Sequence, residues 1–145
     1  MHWGRPNASP PSHPRRALLP HLDRPHDRLV RHVFEDEIGV SPSLSPKTPN
    51  ISVPYGALVP EALDGILGAG RHIACDPNSH TFLREIPQCW FTGQAAGVAA
   101  ALAAASGTPP RHVAVRVIQR ELLQQGAYLS PAVATALAQV SAAAE

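Results

Sequence analysis

The sequence predicts an α/β unit: short strands, then two or three helices, preceded by an irregular N-terminal arm. Three observations predict it. Prolines 6, 10, 11, 14, 20 and 25 break up the first 28 residues, and proline denies a segment both helix and sheet. Two short apolar runs end at Pro60 and at the pair Gly68 and Gly70, as strands closed by turns do. Beyond Thr92 the chain is dominated by alanine and other helix formers, with breaks at Gly107, Pro109-Pro110 and Gly126.

Residues 1–28 therefore read as a disordered Pro/His/Arg-rich arm, and residues 29–145 as the folded part. His2, His13, His21, His26 and His32 lie in or just past the arm, but their spacing matches no compact ligand set. No metal site is predicted. Leu29–Ile38 reads as a short strand or a helical turn ending at Gly39. Its acidic trio, Glu35-Asp36-Glu37, does not converge, because neighbours on a strand point to opposite faces, and a solvated edge is expected. Ser41–Asn50 is a loop. Ile51–Val59 reads as extended, and Gly65–Gly70 as a short buried strand ending in a turn. Asp76-Pro77-Asn78-Ser79 is a strong turn sequence. A helix is expected from Thr92 or Gly93 to Ser106. A second runs over Val115–Gln125 with Val117, Ile118, Leu122 and Leu123 on its apolar side. A third covers Ala132–Ala144, with Ser130 as N-cap and Pro131 in the first turn.

A chain of 145 residues allows one domain. Much of its 44% hydrophobic content is alanine, which buries little area, so the core is expected to be thin. The formal net charge of +1 implies neither nucleic acid nor a membrane surface as partner. Eleven arginines stand against the single Lys47, which reads as compositional bias. Cys75 and Cys89 have no C-x-x-C spacing, and Met1–Pro20 lacks a signal-peptide core. The reading is a cytoplasmic chain with reduced thiols. Val98–Ala105 is too short to span a bilayer.

The stretch from Gly68 to Ser106 carries the chemistry. A helix that began at Thr92 or Gly93 would present unpaired backbone N–H donors and a partial positive charge, with no side-chain bulk in the way. Pro54-Tyr55-Gly56-Ala57-Leu58-Val59-Pro60, Gly68-Ala69-Gly70-Arg71, Arg84, Gly93-Gln94-Ala95-Ala96-Gly97 and Gln124-Gln125-Gly126-Ala127-Tyr128-Leu129 follow in order. Together they resemble the C-terminal part of the FAD-dependent oxidoreductases of the FAD/NAD(P)-binding Rossmann-like superfamily.

The resemblance implies a partial Rossmann-like unit with FAD as cofactor. It implies Gly70, Arg71, Asp76, Arg84, Gly93, Gln94, Ala95 and Ala96 as cofactor-binding residues. Asp76 would hold the ribitol hydroxyls, Arg84 the pyrimidine edge or the substrate, and the helix start the reduced flavin. For Asp76 the alternative is a turn residue. For Tyr55 the alternatives are a ligand contact and a core aromatic. His80, a lone histidine in a polar loop, reads as solvated, and Cys89 as packed. The family often carries Arg where this chain has Gly56, which weakens anion binding there. No catalytic acid or base is identified. No G-x-G-x-x-G occurs anywhere in the chain, so the ADP half of the cofactor has no visible site. The function implied is the flavin-contacting C-terminal portion of an FAD-dependent oxidoreductase, a fragment acting with a chain that carries the missing half. The alternatives are a non-catalytic packing module that needs such a partner, and a small self-associating helical protein.

Overall fold

The computed structural model of the chain describes residues 32–43 and 49–142. The arm expected over residues 1–28 lies outside the described residues, as do residues 44–48 of the loop that follows Ser41. Two strands, β1 (Glu37–Ser41) and β2 (Ile51–Pro54), form an antiparallel pair. Four helices follow among the described residues: α1 (Pro77–Leu83), α2 (Ile86–Ser106), α3 (Val115–Gln124) and α4 (Pro131–Ala142). The expected mixed α/β class with helices after strands holds, but there are four helices among the described residues rather than two or three: α1 forms where a turn was expected.

Glu37 pairs with Pro54, and Gly39, Val40 and Ser41 pair with Val53, Ser52 and Ile51. One extra residue in β1 between Glu37 and Gly39 breaks the register. Such a bulge bends a strand and resets which way its side chains point. All five residues of β1 are buried, so the acidic trio is a solvated edge only in part. Glu35 is exposed and Asp36 half-exposed, but Glu37 is fully buried. Its Oε1 accepts the N–H of Ser130 at 2.5 Å, at the start of α4. A carboxylate suits that end of a helix, where N–H groups lack partners. The Gln119 amide of α3 donates to the carbonyls of Glu35 and Glu37 at 2.8 and 2.9 Å.

β2 is shorter than the expected Ile51–Val59, because the chain tightens into a 3-10 turn over Tyr55–Leu58. Tyr55 is a core aromatic. It is buried, and its hydroxyl donates to the Pro110 carbonyl at 2.9 Å. Burial raises its pKa above the ordinary value. The strand expected at Gly65–Gly70 does not form. That segment is irregular, exposed at Gly65 and Ile66, with Gly65 and Gly70 at positive φ. An apolar run without a neighbouring strand to satisfy its backbone gains nothing from extension. Here Gly68 instead donates its N–H to the Leu58 carbonyl at 2.7 Å.

α2 begins at Ile86 rather than at Thr92 or Gly93. Pro87 sits in its first turn, where the missing N–H costs no hydrogen bond. The buried face of α2 is Gln88, Thr92, Ala95, Val98, Ala99 and Ala103, a helical spacing. Its small residues let the helix lie close to β1. Gly39 makes the approach possible: a Cβ there would fall 2.6 Å from the ring of Phe91. Gly107, at φ +65°, caps the C-terminus.

α3 falls within one residue of its expected bounds, with Ile118 and Leu122 buried in the main core. Val117, expected on the apolar side, is instead exposed. Gln119 takes a buried place because its amide serves the backbone of β1. α4 packs Val133 and Leu137, with Leu129, into a second small cluster that Leu123 joins.

Two substitutions test these supports. Gly39→Ala is expected to destabilise the chain by about 1–3 kcal/mol in urea unfolding, by driving the Phe91 ring off the strand. Glu37→Ala is expected to leave the Ser130 N–H buried without an acceptor. Stability should fall by about 2 kcal/mol or more, with hydrogen exchange in α4 accelerated more than in α2.

Candidate functional site

The eight sequence-predicted residues fall on three structures. Gly70 and Arg71 end the irregular segment after β2. Asp76 and Arg84 are the N-cap and C-cap of α1. Gly93, Gln94, Ala95 and Ala96 lie inside α2.

Gly70 is brought against α2. Its N–H donates to Thr92 Oγ1 at 3.0 Å, and that hydroxyl donates back to the Gln88 carbonyl at 2.8 Å. A loop N–H is thus satisfied by a buried threonine, which joins Gly70 to the turn that precedes Gly93. Sequence reading missed Thr92 as the joint; its nearness to Gly93 in the chain was the available signal. Gly70 itself has φ +86°, a conformation that favours glycine. Arg71 is exposed.

Asp76 caps the N-terminus of α1 where the sequence suggested a turn. Its Oδ1 accepts the N–H groups of Asn78 and Ser79 at 2.9 and 3.2 Å, and its Oδ2 accepts the Ser79 hydroxyl. The Ser79 hydroxyl, followed by these N–H donors, holds the Asp76 carboxyl below its ordinary value of 3.8. The neighbouring Cys75 thiol is pushed up by partial desolvation and by the Asp76 charge, which makes it a weaker nucleophile at neutral pH. Arg84 is exposed at the other end of α1, about 12 Å from Asp76 along the axis at 1.5 Å per residue. Asp76, Asn78, Ser79 and Phe82 instead line a cleft of about 550 Å³ with His32, Phe34 and Ser52; no other predicted site residue reaches it.

Within α2, Ala95 is fully buried and Ala96 packs on the core. Gln94 donates from Nε2 to Gln125 Oε1 at 3.0 Å. The helix starts at Ile86, so the N–H groups of Gly93 to Ala96 lie in its interior, where each is directed at the carbonyl four residues back. The expected helix terminus at Gly93 is therefore corrected. What α2 presents outward is a flat apolar face. A Cβ at Gly93 or Gly97 would meet nothing within 4 Å. Ile86 (54% exposed) and Trp90 (72% exposed) stand on the same face, one turn apart. Ala100 and Ala104 continue it.

A scan against protein families matches residues 31–122 to the family described as FAD dependent oxidoreductase, well over half of the chain. The chain belongs to the FAD-dependent oxidoreductase family. FAD is the cofactor this family implies. The Gln124–Leu129 piece of the resemblance lies beyond the matched span. Neither the curated proteins nor the solved structures yield a match. Among the described residues, no three His, Cys, Asp or Glu gather as a metal site, and no helix is long and apolar enough to cross a membrane.

The described residues do not by themselves fit FAD. A flavin dinucleotide asks for free N–H donors at its phosphates and a carboxylate for its hydroxyls. The Gly70 N–H is directed at Thr92, the Gly93–Ala96 donors lie inside α2, and Asp76 caps α1. The chain offers a flat apolar face in place of a polar cradle.

Asp76 makes a testable distinction. A depressed carboxyl contributes stability above the ordinary carboxylate value, and that contribution is lost as pH falls through the folded value. Asp76→Asn should keep α1 capped and remove part of the loss of stability below about pH 4. Asp76→Ala should speed hydrogen exchange at Asn78 and Ser79 at neutral pH, read by amide NMR.

Proposed function

We propose that this chain is the flavin-contacting C-terminal portion of an FAD-dependent oxidoreductase, in which a Rossmann-like body carried by a partner chain holds the dinucleotide. The observation that carries this is the open face of α2. Gly93 and Gly97 leave bare helix surface, with Trp90 and Ile86 exposed beside them. An exposed apolar face of that kind marks a surface that packs on something else. It lies inside the span that matches the family. The Gly70 N–H, already given to Thr92, the Asp76 carboxylate, already accepting from Asn78 and Ser79, and the missing G-x-G-x-x-G support the same division of labour: the partner binds the polar half of FAD, and this chain covers the flat ring system. Arg71 and Arg84, both exposed, are the cations left to meet flavin or substrate oxygens in that complex. A cytoplasmic location and a small-molecule substrate belong to this reading.

The test is a flavin titration read by the visible flavin band. The chain alone should take up no FAD at micromolar concentration. The chain co-expressed with a neighbouring reading frame that carries G-x-G-x-x-G should purify yellow. Saturable binding by the chain alone would refute the need for a partner, and a colourless complex would refute the flavin contact. Gly93→Trp sharpens the test. The site is open, so stability should stay within about 1 kcal/mol of wild type, while flavin uptake by the complex should fall roughly tenfold or more as the indole covers the face.

A further inference from the structure

We propose that Arg111 is a positioning residue for the segment Pro60–Arg71, holding it in one conformation from fifty residues downstream. The segment has no helix or strand of its own, so its carbonyls need donors from elsewhere. Arg111 supplies them. Its Nη2 donates to the carbonyls of Pro60 and Leu63 at 2.9 Å each and of Glu61 at 3.3 Å, and its Nη1 approaches the Glu61 carbonyl at 3.4 Å. Its Nε pairs with the carboxylate of Asp64. Three carbonyls and a carboxylate thus converge on one guanidinium. Only a planar fork of five donors can serve them together; a lysine ammonium, with three donors at a point, cannot.

The anchor for the clamp is itself fixed. Arg111 lies in the 3-10 turn Pro110–His112, and the first residue of that turn accepts the buried Tyr55 hydroxyl. Tyr55 and Leu58 belong to the main core. The far end of the segment is tied to the same turn after β2: Gly68 donates to Leu58, and Ala74 to Ala57 at 3.3 Å. Arg111 therefore closes the one side that backbone hydrogen bonds leave open. Gly70 and Arg71 sit at the end of the held segment, with Gly70 joined to α2 through Thr92. What the segment is held for rests on the function proposed above; that it is held by Arg111 does not.

The experiment compares wild type, Arg111→Lys, Arg111→Gln and Asp64→Asn by hydrogen exchange, thermal unfolding and flavin uptake of the partner complex. Both Arg111 variants should raise exchange of the Gly68 and Gly70 amides, whose N–H groups are hydrogen-bonded, by roughly tenfold or more, while α2 and α3 keep their protection. Lysine should fail to rescue, and Asp64→Asn should have the smaller effect because the three carbonyl contacts remain. Flavin uptake should fall in the same order. Unchanged exchange at Gly68 and Gly70, an equal loosening of every element, or full rescue by lysine would each overturn the assignment. If the wild-type complex binds no flavin, the proposed function fails, and the exchange data still decide the role of Arg111.

Discussion

The close approach of α2 to β1 is the contact on which the other elements depend. A two-stranded sheet is not stable alone in water, and this one gains its cover from a helix whose inner face is half alanine. Small residues bury little area each, so the gain comes from fit. Gly39 admits the Phe91 ring, and Gln88 donates to Ser41 at 2.8 Å on the same surface. α3 and the start of α4 are joined to β1 as well, through Gln119 and the Ser130 N–H. The bulge in β1 lets Glu37 serve as the acceptor there.

A thin apolar core shifts the specification of the fold onto polar joints. Glu37 meets the start of α4, Gln119 reads the backbone of β1, Thr92 receives Gly70, and Arg111 gathers the segment after β2. Each replaces a hydrogen bond to water with one inside the protein, a modest net gain. Their larger effect is on uniqueness: removing one partner strands the other, so alternative arrangements are penalised more than the native one is favoured. This arrangement lets irregular segments hold fixed positions without a sheet to support them.

The sequence disclosed the elements whose signals are local. The Ser130-Pro131 start, the Gly107 stop and the bounds of α3 follow from residues within a turn of the feature they set. It failed where the deciding partner is distant. The apolar run before Gly68 looks like a strand, but strandhood depends on a neighbour, and the Leu58 carbonyl is what it meets. Glu37 looks solvated beside Glu35 and Asp36, yet its partner lies 93 residues away. Arg111 is one arginine among eleven, with acceptors about fifty residues upstream. The start of α2 lies upstream of Thr92 for a different reason: Pro87 sits in its first turn, where proline is compatible with the helix.

That displaced start changes what the glycines of α2 can do. In a terminal turn, Gly93 would expose N–H donors, and its lack of a side chain would serve electrostatics. In the helix interior the same glycine offers only shape. Gly93 and Gly97, one turn apart, remove bulk from a face that Trp90 and Ile86 extend. Shape without free donors suits the flat, apolar body of a ring system or the surface of another helix. It does not suit a pyrophosphate. Under the function proposed above, charge recognition would fall to a partner that carries the dinucleotide motif, and this chain would contribute the flat wall. Its own part is visible in the Gly70–Thr92 joint, which ties the segment ending at Arg71 to α2.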